Sequence, residues 1–163
     1  VTGVQTCALP IFYRMKKVLF ALVCMFTLVS AQVKADNERS MPVTQFPQSA
    51  QQFIKQHFAD KKVVISKVET DFLEKVYVVV FANGDNVEFY RNGEWKEIEC
   101  KYSQVPAAAV PSFITKYVSE NHPDTKIITV EKDKDDKEYE VKLSNRWEMK
   151  FDFKGNLVDL DRD

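Results

Sequence analysis

Between residues 47 and 161 the apolar positions change period in a set order, and then repeat that order. Helical spacing comes first. Ala50, Phe53, Ile54, His57 and Phe58 follow Pro47 at three- and four-residue intervals, and Phe113, Ile114, Tyr117 and Val118 follow Pro106 and Pro111 in the same way. Proline suits a helix start, where its missing N–H would have no intrahelical partner. Asp60-Lys61-Lys62 closes the first helix. Asn121-His122-Pro123 closes the second, because the residue before proline avoids the helical region. Period two then takes over. Val63–Glu69 and Lys126–Glu131 are short and rich in β-branched residues, and Tyr77, Val79 and Phe81 alternate within Lys75–Ala82 as Tyr139, Val141 and Leu143 do within Lys137–Ser144. Asn83-Gly84 is a hairpin turn with Asn145-Arg146 in the same place, and Val87 and Phe89, like Met149 and Phe151, mark the returning strand. Asn92-Gly93 and Lys154-Gly155 turn the chain into last strands at Trp95–Cys100 and Leu157–Asp161.

The two passes also align residue by residue. Val68-Glu69 falls on Val130-Glu131, and without a gap Tyr77, Val79, Asn83, Phe89 and Gly93 fall on Tyr139, Val141, Asn145, Phe151 and Gly155. The expected fold is therefore α+β. It is a tandem repeat of a helix followed by a roughly four-stranded antiparallel meander, with repeat 1 at 36–101 and repeat 2 at 102–163. Each helix packs on the face carrying Tyr77, Val79, Phe81, Val87, Phe89 and their equivalents.

The N-terminus changes the compartment rather than the fold. Residues 1–14 resemble a translated sequencing-adapter read-through, and residues 15–35 read as an export signal: Lys16 and Lys17, an apolar run from Val18 to Val29, and small-residue exits after Ala31 or Ala35. The apolar run is short for a membrane span, which takes about 20 residues. With Arg14, Lys16, Lys17 and Lys34 taken from the 23 basic residues, the remaining chain sets 24 acidic residues against them and carries a net charge of about −5. That balance, with no basic stripe, argues against nucleic acid. Cys7 and Cys24 fall in the leader, so Cys100 has no partner for an internal disulfide. Stability must come from burial, for which the Phe residues, twelve in the whole sequence and nine after the leader, supply the means.

The Pro-led helix (Pro47–Phe58, Pro111–Val118), the Lys-x-Tyr-x-Val strand at 75–79 and 137–141, and the aromatic-x-x-x-Gly turn at 89–93 and 151–155 together resemble the PepSY-like, beta-lactamase-inhibitor-like exported proteins. The resemblance covers essentially all of the chain after the leader. It implies two antiparallel sheets forming one curved surface with helices on one side, a periplasmic or secreted location, and a non-enzymatic binding or inhibitory role. It carries over no catalytic residues.

The residues themselves offer little chemistry. A Cys100 dyad with His57 or His122 has no local support: His57 lies on a helix's apolar stripe and His122 in a stop signal. Asp133-Lys134-Asp135-Asp136 lacks the glycine and closing acid of a calcium loop and reads as a solvated turn, and Asp159, Asp161 and Asp163 read as a polar strand face. No metal, cofactor or catalytic residue is expected. The informative signal is a difference between the halves. Facing away from the helix, Glu138, Glu140 and Lys142 correspond to Val76, Val78 and Val80, and strict alternation adds Tyr90 and Trp95 to the same side. Trp147, in place of Asp85, has inward parity and reads as core edge. An open Val76-Val78-Val80-Tyr90-Trp95 patch marks a surface that holds a protein or peptide. The same patch would alternatively be covered by the other half, by residues 36–46, or by a second copy in a homodimeric envelope component.

Overall fold

The structure, a computed structural model, describes residues 37–70 and 74–162, so the readings of the leader and of Asp163 lie outside the described residues. Among the described residues nine strands form one antiparallel sheet in which neighbours in space are neighbours in sequence. They are β1 (Asn37–Ser40), β2 (Val63–Thr70), β3 (Lys75–Phe81), β4 (Asn86–Phe89), β5 (Trp95–Glu99), β6 (Ile127–Asp133), β7 (Glu138–Leu143), β8 (Trp147–Asp152) and β9 (Leu157–Arg162). Helix α1 (Gln48–His57) lies between β1 and β2, and α2 (Ser112–Asn121) between β5 and β6. Each starts after a proline, Pro47 or Pro111, and a short 3-10 turn precedes each, at Val43–Gln45 and Ala107–Ala109.

Two expectations are corrected. First, there is a single open sheet where two were predicted. β5 and β6 pair directly, with Ile98 opposite Val130 and both fully buried. Further bonds extend the join, from Cys100 N–H to the Ile128 carbonyl (2.7 Å) and from Val105 N–H to that of Ile127 (2.9 Å). Second, residues 37–40 do not cover the outward face but add a strand to the edge of β2, Arg39 opposite Val68 and Ser40 opposite Lys67.

The period-two pattern holds on the inward face. Val79, Val87, Phe89, Ile98, Val130, Val141 and Met149 are fully buried in one core that also receives Ala50 and Ile54 of α1 and Ile114 and Val118 of α2. Aromatic rings make the helix–sheet contacts: Phe58 stacks on Phe81 (centroids 5.0 Å), Phe53 meets Phe89 edge-on (5.7 Å), and Tyr117 meets Phe151 edge-on (5.3 Å). Both helices are thereby spent on the inward face.

Glycine at one turn sets the helix position. Gly93 has φ +80°, a conformation that side chains with a Cβ rarely adopt, and a Cβ there would lie 2.2 Å from Ser49 Oγ and 2.6 Å from Pro47 Cβ. The turn and the start of α1 are in direct contact, and Ser49 Oγ donates to the Asn92 carbonyl at 3.0 Å. Beside the first hairpin, Asp85 is fully buried and receives hydrogen bonds from Lys61 Nζ, Asn83 Nδ2 (2.8 Å) and Ser103 Oγ (3.0 Å). Burial pushes this carboxyl up, but the donors outweigh it and hold the pKa below its ordinary value.

Candidate functional site

Pairing register places one residue from every strand side by side on the outward face: Ser40, Lys67, Val78, Glu88, Glu97, Glu131, Glu140, Lys150 and Asp159. Four consecutive members are glutamates. Like charges directly opposite on neighbouring strands repel, and the lysines are distributed unevenly around them. Glu140 is served by Lys142 (3.2 Å) and Lys150 (3.4 Å), whereas among the described residues no cation lies within 4 Å of Glu88, Glu97 or Glu131. All four side chains are half-buried. For Glu97 burial, then repulsion from Glu88, Glu131 and Glu99, raises the pKa to about 7; Glu88 is also raised, chiefly by burial.

The predicted patch residues fall on both faces. Val76 and Val78 do face outward but are only 8% and 5% exposed. Their cross-strand neighbours are the long charged side chains Glu69, Lys67 and Glu88, whose stems cover apolar surface while their heads reach water. Val80 is half-buried opposite Ile65, which is 51% exposed, so the open apolar spot is at that end of the face. Trp95 is a correction: it packs against the core, 6.1 Å from the ring of Tyr139. The cause is a β-bulge. Glu88 pairs with Glu97 but Phe89 with Trp95, which leaves Lys96 as an extra residue and turns Trp95 inward beside buried Phe89. Simple alternation has no way to register an inserted residue.

Tyr90 remains on the outward side and forms a feature of its own. Its hydroxyl donates to the Lys132 carbonyl across the β5–β6 join, and Lys134 Nζ sits 4.1 Å from the ring centroid. Lys134 is in turn paired with Glu94 at 2.7 Å, and Lys96 with Glu74 at 3.2 Å. Tyr90, Lys134, Lys96 and Glu74, with Glu131, Asp133 and Asp135, line a cleft of about 470 Å³ next to the glutamate row.

The residues weighed for catalysis are used structurally. Cys100 is fully buried, and burial followed by the nearby Asp85 carboxylate pushes its thiol up to about 11, so it stays protonated at neutral pH. His57 packs against Phe53 with its ring tilted (centroids 4.6 Å), and burial lowers its pKa; His122 lies 5.5 Å from Trp147, itself half-buried against the core. Asp133 Oδ1 accepts the N–H groups of Asp135 (2.8 Å) and Asp136 (3.0 Å), which makes that acidic run a hairpin turn. Among the described residues no three His, Cys, Asp or Glu converge to hold a metal ion, and no helix is long and apolar enough to cross a membrane.

A family model described as "Putative beta-lactamase-inhibitor-like, PepSY-like" matches residues 32–73 and 75–159. The chain belongs to this PepSY-like family. Solved structures agree. A "putative calcium-regulated periplasmic protein" from Bacteroides thetaiotaomicron is 55% identical to the PepSY-like chain, covers 77% of it and 98% of its own length, and superposes with a TM-score of 0.75. A protein from Bacteroides vulgatus described as a "putative periplasmic protein" is 52% identical, with 78% and 99% coverage and a TM-score of 0.75. A second protein from that organism, described as periplasmic and of unknown function, is 34% identical, with 77% and 99% coverage and a TM-score of 0.71. No functionally curated protein matches the PepSY-like sequence. These relatives place the PepSY-like protein in the periplasm.

Proposed function

We propose that the protein is a non-catalytic periplasmic binding protein that holds a cationic protein or peptide segment on the outward sheet face, across the glutamate row and the Tyr90 cleft. The observation that carries this reading is the set of half-buried carboxylates at Glu88, Glu97 and Glu131, lined up by register and, among the described residues, with no cation within 4 Å. Such a row is electrostatically uncomfortable in the free protein, and lysine or arginine side chains laid across it would relieve the repulsion. The open Ile65–Val80 end offers a short apolar anchor beside it. A homodimer through this face would set two acidic rows against each other, so the reading favours a foreign partner. An inhibitory role would follow if the segment belongs to an enzyme and its capture blocks access to that enzyme's cleft. Shared bulges in the two halves, at Glu88/Phe89 and Lys150/Phe151, support reading the fold as a tandem repeat.

The test is capture of envelope proteins on immobilised protein, beside Tyr90→Ala and Glu97→Gln/Glu131→Gln variants whose folding is checked by circular dichroism. A partner kept by wild type, lost by the folded variants and rebound on reconstitution from pure components would establish the reading. A partner retained equally by all three would refute it. Calcium, named in one relative's description, would compete with the partner for the same carboxylates, and titrating it into the reconstituted complex measures that competition.

A further inference from the structure

The last strand ends the sheet with an open edge. Among the described residues nothing pairs with the far side of β9, and every residue of Leu157–Arg162 is exposed. An unpaired strand edge presents a row of free N–H and C=O groups and is a ready template for another strand. Proteins usually blunt such edges, and the opposite edge shows one way: β1 is only 4 residues long. β9 is longer and carries exposed Leu157, Val158 and Leu160.

The molecule contains its own example of how such an edge is closed. β5 and β9 meet their hairpin partners in the same manner: Phe89 opposite Trp95 and Val87 opposite Ile98 in one, Phe151 opposite Leu157 and Met149 opposite Leu160 in the other, each with a register shift between. On β5 the far edge is taken by β6, whose Val130 faces Ile98, and Ile98 is fully buried. On β9 Leu160 stands where Ile98 does and, among the described residues, has no such neighbour.

The charges select the occupant. Asp159 and Asp161 flank Leu160 on the outward side, opposite Lys150 and Glu148. A second copy pairing antiparallel about Leu160 would set Asp159 of one chain against Asp161 of the other. Shifting by two residues sets Asp159 against its own copy in one direction and Asp161 against its own copy in the other, and like charges directly opposite are unfavourable. An extended segment with a basic residue on each side of an apolar one matches all three positions.

We propose that β9 is a docking edge for an extended segment of another protein in which Lys or Arg alternates with β-branched apolar residues, added as a tenth strand. The apolar residue covers Leu160 as Val130 covers Ile98, the cations meet Asp159 and Asp161, and the backbone supplies the remaining bonds.

The probe is a synthetic peptide alternating Lys with Val and Ile, end-capped, added to the protein and followed by calorimetry and hydrogen–deuterium exchange. The expected result is binding with slowed exchange at 157–162. Affinity should fall about tenfold or more when alternate peptide amides are N-methylated, and by a similar factor for an Asp159→Lys/Asp161→Lys variant, two exposed pairs being turned from attraction to repulsion. In the Tyr90→Ala variant, which removes a contact of the sheet-face site, the slowed exchange at 157–162 should persist, which separates this edge from the sheet-face reading. Absence of binding, protection at Glu97 and Glu131 in place of β9, or equal affinity for the N-methylated peptide would overturn the proposal. So would a concentration-dependent dimer of the free protein with β9 already protected.

Discussion

Replacing Glu97 with glutamine should stabilise the protein, and only where the carboxyl would be ionised. In the unfolded chain this group titrates near 4.5, and in the folded protein near 7. The folded state therefore binds the proton more tightly, and stability is lost as pH rises from about 4.5 to 7. At about 1.4 kcal/mol per tenfold change in proton affinity, that difference amounts to some 3 kcal/mol at pH 8, and partial solvent screening of a half-buried group brings it to about 2. Glutamine keeps the shape of the neutral acid and removes the charge. Urea unfolding of wild type and Glu97→Gln should show a gain of about 2 kcal/mol at pH 8 that shrinks towards zero at pH 4.5, with unchanged m-values. A gain that is the same at both pH values would mean that the side chain's size, not its charge, is what the site resists. No gain at pH 8 would mean that Glu97 is well solvated or compensated, and would remove the physical basis for a cation-seeking face.

Other expectations follow from the packing. Trp95→Ala should cost about 2–3 kcal/mol in thermal or urea unfolding, as for a half-buried aromatic on the core, and leave partner capture unchanged. Gly93→Ala should cost roughly 2–4 kcal/mol, combining a left-handed backbone with contacts at 2.2 and 2.6 Å against Ser49 and Pro47; calorimetry that shows under 1 kcal/mol would mean α1 can shift freely. Asp85→Ala should cost about 3 kcal/mol at neutral pH. Because the Asp85 pKa is depressed, wild type loses this contribution as acid protonates the carboxyl, so the two proteins should converge in stability as pH falls below about 3.8. Binding of a basic partner should weaken as pH drops below about 7, since Glu97 must then release a proton to pair; calorimetry in buffers of different ionisation heat would detect the released proton.

Most of the scaffold can be read from periodicity, because prolines 47 and 111 and glycines 84, 93 and 155 punctuate segments whose apolar residues repeat at 3.6 or 2. What escapes is everything that depends on pairing. Alternation assigns Trp95 to the outward face because Ile98 is inward, and the extra residue Lys96 reverses that assignment. Val76 and Val78 look exposed by parity, yet their burial is decided by Lys67, Glu69 and Glu88 on adjacent strands. The glutamate row is equally hidden: Glu88, Glu97, Glu131 and Glu140 are ordinary outward residues one strand at a time, and only register lines them up. Residues 37–40 carry no strand pattern of their own and become a strand because β2 offers them an edge.

The strand order has a kinetic meaning. In a sheet whose neighbours are all consecutive in sequence, most pairings close a short loop, and hairpins form on the microsecond scale. Two pairings differ: β1 reaches β2 only across residues 41–62, a span that must seat α1, and β5 reaches β6 only across the longer span of residues 100–126, which must seat α2. Chain entropy resists the longer closure most, although the cost grows only logarithmically with length. The β5–β6 join should therefore be the bottleneck of folding. Variants that shave a methyl group from Ile98 or Val130 should slow refolding far more than they speed unfolding, while cuts in the β7–β8 hairpin should do the reverse.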